Sequence, residues 1–560
     1  MFDNDTDSSD SDEENNIQLW RQIVLRGNSR KPDTQECKNI LEFVKKLCFS
    51  ILKFLIIQLH FFFDRIIDFI FGIFYDKKAK KVPPVKDPLL LESAVSLAKK
   101  IRTRQVTSED VVKAYIKRCQ EVNSLINAIV EERYSDAIEE AIAVDAMIEK
   151  GIDIEMIKMK QPFLGIPFTT KESNQAKGMI HSMGILPRCN IRSEKDATVV
   201  GYLKEAGGIL IAKTNIPELN LWIESRNKVY GQTNNPYNTT RTVGGSSGGE
   251  GAIIAACGAP ISIASDIGGS TRMPAFFNGL FGFKPSEGVT PIAGIGLREE
   301  DYPNTMVSAG PICKKAEDLT LFLKVLAGPN TTMLRLYDSV NLADLKVYYQ
   351  ECSGDLRVSK VNKSMRVVLK KAVEHLKNLT GSATKIKIPG SEYSFKLWKY
   401  WMSRENFNFK LEITGRKYVT NAKKELYNFI TGSSEITLAA IMKLVDEDFL
   451  PKVNAKWAEE VTGMANKFLT NVLGHDGILL YPSAPFPAVY HYSSLLRPFN
   501  FSYWCLFNVL RFPVCQVPMG LDENGLPVGI QVVAAPYNDH LCIAVAKELE
   551  KAFGGWVPPS

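Results

Sequence analysis

The sequence predicts an α/β fold in which helices cover a sheet. One observation is composition, because an apolar share of 45% and a charged share of 23% are close to the average of globular proteins and allow a large core. The second is an alternation, over most of the 560 residues, between short apolar runs typical of buried strands and longer runs with helical periodicity. We find no internal repeat in the sequence.

Residues 1–40 are predicted to be a disordered acidic tail and the lead-in to a helix. The first 16 residues contain seven acidic side chains and no basic one. Such a segment repels itself and has little apolar surface to bury, so it is not expected to fold.

Segment 41–76 is predicted to be a membrane-anchoring helix. It is rich in Phe, Ile and Leu, and it begins too far from the N-terminus to be a cleavable signal peptide. Lys53, His60, Asp64 and Asp68 interrupt the apolar residues, and at about 100° per residue they form one polar stripe. Three interpretations stay open: a spanning helix with the stripe toward a partner helix, an interfacial helix with the stripe toward water, and a core helix of a soluble domain.

A basic, proline-containing linker is predicted at 77–88. Four lysines lie between positions 77 and 81, and each can contact anionic lipid at about 1 kcal/mol. The sequence Val82-Pro83-Pro84 then ends any helix. We therefore place the start of a large domain, residues 89–560, after this linker.

The first elements of that domain are two predicted helices, LLLESAVSLAKKI and VVKAYIKRC, the second opened by a capping box from Thr107 to Asp110. The runs FLGIPFTT, GILIAKT and PISIAS are typical of buried strands. The runs ATVVGYLKEAG and EGAIIAACG between them are predicted to be helical.

Composition excludes several classes of function. A net charge of +6 is modest for this length, and basic residues do not alternate with aromatic ones as they do in nucleic-acid grooves, so no nucleic-acid partner is expected. The ten cysteines include no CxxC pair, which argues against a zinc site and against a disulfide framework.

Three places put a base, a nucleophile or glycines beside a predicted strand or helix end, where the sites of α/β sheets gather. Lys171 ends an apolar run, and a lysine deprived of water has a lowered pKa and can act as a neutral base. Loop 244–249, GGSSGG, precedes a helical run. Loop 266–270, DIGGS, follows a strand, and its backbone N–H groups can converge on an oxyanion while Ser270 attacks a carbonyl. Each feature alone also fits a surface lysine or an ordinary glycine turn.

In combination the three motifs resemble the signature of the amidase-signature family. Ser246 follows Lys171 by 75 positions and Ser270 follows Ser246 by 24, in the order that this signature has. The stretches PFLGIPFTTKES, VGGSSGGEGA and DIGGSTRMPAFFNGLFGFKPS resemble the fatty-acid amide hydrolases of that family in particular.

The resemblance implies one large α/β/α sandwich around a mixed, twisted sheet, an N-terminal hydrophobic anchor on a membrane, and no metal or organic cofactor. It implies cleavage of fatty-acid amides, such as N-acylethanolamines and primary fatty amides, and of esters. Ser270 resembles the nucleophile, Ser246 the bridging serine held by a cis peptide, and Lys171 the base. The implied oxyanion donors are the N–H groups of Ile267, Gly268, Gly269 and Ser270, and the implied supporting residues are Ser247, Asp266 and Arg272. Membrane lipid is the implied partner, and a homodimer is left open.

Three alternatives remain at this point. Gly244-x-Ser246-x-Gly248 also fits the nucleophile elbow of α/β-hydrolases, with Ser246 as nucleophile. Its partners would be a downstream Asp and one of His475, His491 and His540, although the residues before the loop are polar. Within the same fold, the chain would be the amidase subunit of a tRNA-dependent amidotransferase. A catalytically inactive membrane scaffold is the third.

Thr271 departs from the Ile or Val usual in the family, which changes the packing beneath Ser270.

Overall fold

The computed structural model describes residues 34–151 and 153–559. Most of the predicted acidic tail, residues 1–33, lies outside the described residues. The chain divides into two compact units at Leu59 and His60. Within the described residues the first unit is the beginning of one helix, and the second unit contains the rest of that helix, the linker and the large domain.

The described residues contain seventeen α-helices and thirteen strands. The helices are α1 (Thr34–Tyr75), α2 (Ala94–Arg102), α3 (Ser108–Ile126), α4 (Tyr134–Glu149), α5 (Ile154–Lys160), α6 (Thr198–Glu205), α7 (Gly248–Ala255), α8 (Arg272–Phe277), α9 (Glu317–Ala327), α10 (Lys363–Thr380), α11 (Ser394–Met402), α12 (Phe409–Glu412), α13 (Ala422–Ile430), α14 (Leu438–Phe449), α15 (Ala455–Leu473), α16 (Ser502–Leu510) and α17 (Asp539–Phe553). The strands are β1 (Ile129–Glu132), β2 (Pro167–Lys171), β3 (Ile209–Thr214), β4 (Arg226–Asn227), β5 (Gly231–Gln232), β6 (Ile261–Asp266), β7 (Phe281–Lys284), β8 (Ser308–Cys313), β9 (Lys346–Tyr349), β10 (Ala383–Lys385), β11 (Gly477–Pro482), β12 (Val514–Leu521) and β13 (Pro527–Ala534).

Eleven of these strands form one mixed sheet, in the order β1-β3-β2-β6-β8-β7-β12-β13-β11-β9-β10. Strand β2 runs parallel to both β3 and β6, whereas β8, β7, β12 and β13 pair antiparallel with their neighbours. The mixed sheet with helices, predicted above, is confirmed.

The central strands are covered on both faces. All residues of β2, β3, β6, β8, β11 and β13 are buried. Because successive side chains of a strand point to opposite faces, a wholly buried strand needs packing on both sides of its sheet. Helix α7 packs on β2 and β6, and α17 packs on β12 and β13.

The capping box predicted at the start of α3 is present in part. Thr107 Oγ1 accepts a hydrogen bond from the backbone N–H of Asp110 at 3.0 Å. This bond satisfies one of the backbone donors that the first turn of a helix leaves unpaired.

Helix α1 begins at Thr34, within the predicted lead-in, and ends at Tyr75. Its described apolar side chains are largely exposed, for example Phe69 at 71% and Phe74 at 64%. Asp64, by contrast, is buried against the rest of the second unit. In residues 34–151 and 153–559, no helix combines the length and the apolar character needed to cross a bilayer.

The predicted linker is bound to the large domain along its backbone. Lys80 and Thr239 exchange hydrogen bonds, from Lys80 N to Thr239 Oγ1 at 3.0 Å and from Thr239 N to the Lys80 carbonyl at 2.9 Å. Val82 N donates to the Pro236 carbonyl, and the Val82 side chain is buried. These contacts fix the linker at the point where the helix ends.

Candidate active site

Lys171 lies at the end of strand β2 and is fully buried. Its Nζ donates to Ser246 Oγ at 2.7 Å and to Ser265 Oγ at 3.0 Å. Burial lowers the pKa of Lys171 to about 7, because the ammonium loses its water, while the nearby carboxyls of Asp266 and Glu250 oppose the shift. Near neutral pH this amine therefore exists in both protonation states.

The contact of Lys171 with Ser265 follows from strand pairing. Strands β2 and β6 are adjacent and parallel, with Thr170 opposite Ile263, so their carboxyl ends meet at one edge of the sheet. Lys171 ends the first strand and Ser265 lies near the end of the second.

Ser246 lies in the glycine loop that leads into α7, and it is buried. The peptide bond between Gly245 and Ser246 is cis, as the family resemblance implied. Ser247, the next residue, donates its N–H to the Ser270 carbonyl at 3.2 Å. This bond joins the two loops that carry the two predicted catalytic serines.

Two glycines of these loops leave no room for a side chain. A Cβ on Gly245 would lie 2.3 Å from the Trp222 carbonyl oxygen. Gly269 has φ of +109°, and a Cβ there would lie 2.3 Å from Trp504 Cβ. The sequence pattern of glycines thus reflects close backbone approach at both serines.

Loop 266–270 offers three backbone donors to a ligand. The N–H groups of Ile267, Gly268 and Ser270 have no hydrogen-bond acceptor among the described residues. The N–H of Gly269, the fourth predicted oxyanion donor, is instead bonded to Asp266 Oδ1 at 2.7 Å. Three of the four predicted donors therefore lack an acceptor in the described part of the chain.

Asp266 and Arg272 form a buried ion pair beneath this loop. Arg272 Nε and Nη2 donate to the two carboxylate oxygens of Asp266, both at 3.1 Å, and both side chains are fully buried. Asn508 Nδ2 donates to Asp266 Oδ1, and Gln531 Oε1 accepts from Arg272 Nη1. Burial alone raises the pKa of Asp266, but Arg272 and Asn508 outweigh it and hold the pKa well below its usual range. The pair supports the loop through three backbone N–H groups that donate to Asp266, from Gly269, Thr271 and Arg272.

Ser270 borders two different cavities. One is small, about 50 Å³, and its lining includes Lys171, Ser246, Ser265 and Asp266. The other is about 280 Å³ and mainly apolar, and its lining includes Ile267, Gly268, Phe395, Trp398, Phe499 and Phe501. Ser270 itself is 9% exposed. The structure thus brings the predicted base, bridging serine and nucleophile together around one space, with an apolar chamber beside it.

Two buried residues near Lys171 were not found from the sequence. Ser265 accepts a hydrogen bond from Lys171, yet a serine inside an apolar strand gives no local signal of such a role. Glu250 lies in α7, and its Oε2 accepts from Thr169 Oγ1 at 2.5 Å. Burial raises the pKa of Glu250 to about 7, with hydrogen bonds opposing the shift. Only the pairing of strands and the helix position reveal that both lie near the amine.

The histidines required by the nucleophile-elbow alternative lie elsewhere. Among the described residues that line the two cavities beside Ser270, none is a histidine. His491 Nε2 contacts the Thr239 carbonyl at 3.1 Å, and burial lowers its pKa to about 4. The contact to Ser246 comes from Lys171, which disfavours the nucleophile-elbow alternative.

Comparison with known proteins adds three findings. A family model described as Amidase matches residues 110–543. Human fatty-acid amide hydrolase 2 is 45% identical over 495 residues, covering 86% of this chain and 93% of that protein. One subunit of the glutamyl-tRNA(Gln) amidotransferase of Fusobacterium nucleatum is 27% identical over 488 residues, covering 82% of this chain and 96% of that protein.

Solved structures share the fold. A structure titled fatty acid amide hydrolase aligns with a TM-score of 0.67 at 21% identity, covering 85% of this chain and 88% of that one. The family model spans most of the large domain, and the similarity to the human protein extends over nearly its whole length. The chain therefore belongs to the amidase family, and it is a hydrolase that cleaves amides.

Proposed function

We propose that this chain is a membrane-attached serine hydrolase of fatty-acid amides, with Ser270 as nucleophile, Ser246 as proton shuttle and Lys171 as base. The proposal takes residues 89–560 as the catalytic domain, 77–88 as the linker and 41–76 as the anchor. The name of the human relative, a fatty-acid amide hydrolase, supports the choice of substrate class.

One observation carries the proposal: Ser270 borders both a small cavity that contains Lys171 and Ser246 and a larger, apolar one. A carbonyl held at Ser270 would direct its acyl chain into the apolar cavity and its amine toward Lys171 and Ser246. The larger cavity, about 280 Å³, is near the lower end of the range of about 300–1,000 Å³ that ligand pockets have.

In the proposed relay a proton moves from Ser270 through Ser246 to Lys171, and a proton then returns to the leaving amine. Ser270 Oγ attacks the carbonyl carbon and gives its proton to Ser246 Oγ, which passes its own proton to the neutral Lys171 amine. The N–H groups of Ile267, Gly268 and Ser270 donate to the oxyanion. The relay then runs backward, the C–N bond breaks, and the amine leaves with the returned proton. Water, deprotonated by the same relay, hydrolyses the acyl-enzyme, releases the acid and restores Ser270.

The apolar cavity supports a preference for long acyl chains. Phe395, Trp398, Phe499 and Phe501 line it, and Met442 and Leu450, about half exposed, lie at its rim. Burial of each methylene contributes about 0.8 kcal/mol, which is about fourfold in affinity. The value of kcat/KM should therefore rise with chain length until the cavity is filled.

The exposed side chains of α1 support attachment to a membrane surface. Phe62, Phe69, Ile73 and Phe74 are each more than half exposed. Such an apolar surface next to the four lysines between 77 and 81 matches a helix that lies in the lipid interface beside anionic headgroups. Binding of the purified protein to vesicles that contain anionic lipid tests this, and Phe69→Asp with Phe74→Asp should weaken that binding. Equal binding by the double variant would exclude the helix as anchor.

The experiment on activity uses purified full-length protein, a Ser270→Ala variant, and a panel of acyl amides, esters and glutamine. We expect turnover of palmitoyl amides by the wild type and none by Ser270→Ala. Equal turnover by both would overturn the assignment of the nucleophile. Turnover of glutamine in preference to acyl amides would favour the amidotransferase alternative, and absence of both turnover and fluorophosphonate labelling would favour an inactive scaffold.

A further inference from the structure

The polar stripe of helix α1 has a partner in the catalytic domain. Asp64 and Asp68, one helical turn apart, both contact Arg497. Arg497 Nε lies 2.8 Å from Asp64 Oδ1, and Arg497 Nη2 donates to Asp68 Oδ1 at 2.8 Å and to the Asp64 carbonyl at 2.7 Å. We call these three residues the clamp. Part of the stripe therefore faces protein, which explains why these two carboxylates lie in a helix segment rich in Phe and Ile.

The clamp is largely removed from water. The Arg497 side chain is 3% exposed and that of Asp64 is 10% exposed, whereas Asp68 is about half exposed. Ser359 Oγ also donates to Asp64 Oδ1, at 3.1 Å. Buried ion pairs are weak evidence for stability, because desolvation offsets most of the attraction between the charges. The clamp is therefore better explained by a need to fix the position of the segment that carries Arg497.

That segment forms a wall of the apolar cavity. Arg497 lies between two short 3₁₀ helices, Ser493–Leu496 and Pro498–Phe501. Leu495, Pro498, Phe499 and Phe501 from these helices line the cavity beside Ser270. The residue that is clamped and the residues that contact the chamber are thus immediate neighbours in sequence.

The wall reaches the oxyanion loop itself. The ring centroids of Phe501 and Trp398 are 4.7 Å apart in an edge-to-face arrangement. Trp398 Nε1 donates a hydrogen bond to the Ile267 carbonyl at 2.9 Å. A methyl group on Gly268 would lie 2.5 Å from Phe501 Cζ. A shift of the wall would therefore change the space next to the reacting carbonyl as well as the chamber.

We propose that Arg497 is a positioning residue for the acyl chain: Asp64 and Asp68 of the anchor helix hold it, and it holds the wall 493–501 in the position that long acyl chains require. The inference rests on the proposed function and adds a link between the anchor helix and substrate specificity. Release of the clamp should impair long substrates more than short ones, because a short acyl group meets the wall only at Phe501, which also packs on Trp398. A long acyl chain also contacts Leu495, Pro498 and Phe499.

The test compares palmitoyl and butyryl amides of one amine, with full-length protein. For Arg497→Gln we expect kcat/KM for the palmitoyl amide to fall about tenfold, mainly through KM, since misplacement by about 1 Å has effects of that size or larger. The butyryl amide should stay within about twofold of wild type. Arg497→Lys keeps the charge but not the fork of donors, so it should restore only part of the palmitoyl activity.

Two further variants show whether an effect comes from misfolding or from the removal of any charge. Asp68→Asn removes the half-exposed partner, so it should fold and lower the palmitoyl-to-butyryl ratio by about threefold. Arg335→Gln removes one side of an exposed ion pair with Asp338 and should leave the ratio unchanged.

The outcomes separate this inference from the proposed function. Wild-type protein that does not favour the palmitoyl amide would overturn both. A wild-type preference for palmitoyl that Arg497→Gln and Asp68→Asn retain would overturn the clamp alone. Equal losses on both amides would assign Arg497 a purely structural role, which also overturns the inference.

Discussion

Lys171 Nζ lies 2.7 Å from Ser246 Oγ, and both side chains are fully buried. A charged ammonium in this position would lack water, and a neutral amine has a lone pair that can accept the serine proton. Ser265 and Ser246 are the two hydroxyls that Lys171 contacts among the described residues. The activity of the enzyme should therefore depend on the protonation state of this one amine.

We expect kcat/KM to rise with pH through about 7. Burial lowers the pKa of Lys171 to about 7, so the neutral fraction, which is the basic form, grows as pH rises through that value. Below it the rate should fall by about tenfold per pH unit, and above about pH 8 it should level off. A pH profile with one amide substrate measures this.

The control for that profile is another buried lysine. Lys213 is also fully buried, and burial lowers its pKa to about 8, but its Nζ donates to the Ile180 carbonyl. Lys171→Met should remove most activity. In Lys213→Met the fall of kcat/KM on the acidic side of the pH profile should stay at the same pH, whatever the substitution does to stability. If this fall in kcat/KM moved to another pH in Lys213→Met but was unchanged in Lys171→Met, Lys171 would not be the base.

Ser270 and Ser246 should differ in covalent labelling. Ser270→Ala should abolish labelling by a fluorophosphonate, because the atom that forms the bond is gone, and should lower kcat by about a thousandfold or more. Ser246→Ala should slow labelling without abolishing it, since Ser270 remains but has lost its proton acceptor. Ser433→Ala, at an exposed position after helix α13, serves as the control and should label like wild type. Labelling that survives in Ser270→Ala but is lost in Ser246→Ala would instead support the nucleophile elbow.

Sequence reasoning singled out the two serines that have neighbouring glycines, and the structure places both beside one cavity with Lys171. Ser246 and Ser270 lie in glycine loops, and such loops are visible along the chain because close backbone approach requires them. Ser265 carries no such mark, since its contact with Lys171 depends on the parallel pairing of β2 with β6. The local sequence pattern does not show a contact that arises from the order of strands in the sheet.

Helix α1 shows the same limit over a longer distance in sequence. The periodicity of its polar residues was visible in the sequence, but its partner Arg497 lies 429 positions from Asp68. The pattern alone did not show whether the polar stripe faces water, a partner helix or the domain itself. The aromatic residues that line the cavity were equally ambiguous, because core packing and channel lining have the same composition.

Asp266→Asn should destabilise the protein. The change leaves the Arg272 guanidinium buried without its full countercharge, and loss of one partner of a buried pair costs about 3–5 kcal/mol. The apparent free energy of unfolding in denaturant measures the loss. Asp338→Asn, in the exposed pair with Arg335, is the control and should cost less than about 1 kcal/mol.

The effect of Asp266→Asn should also depend on pH. Pairing holds the pKa of Asp266 below its usual range, so its contribution to stability is complete above the unfolded pKa of about 3.9 and is lost as pH falls through the folded pKa. The difference in stability between wild type and Asp266→Asn should therefore be constant near neutral pH and shrink below about pH 4. A difference that grows in acid would mean that Asp266 is protonated in the native state.

Thr271→Val should stabilise the protein. The Thr271 hydroxyl is buried and has no hydrogen-bond partner among the described residues, while the backbone N–H of Thr271 donates to Asp266 Oδ2 at 3.2 Å. Valine has nearly the same shape, keeps that backbone bond and removes an unpaired polar group whose burial costs about 1–3 kcal/mol. The matched control is Thr290→Val, because the Thr290 hydroxyl donates to the Ala309 carbonyl at 3.0 Å and accepts from Ala309 N at 3.1 Å. Thermal unfolding should therefore shift upward for Thr271→Val and downward for Thr290→Val, with amide turnover by Thr271→Val close to wild type. Destabilisation of both variants would show that the Thr271 hydroxyl has a partner, such as a buried water beneath the nucleophile loop.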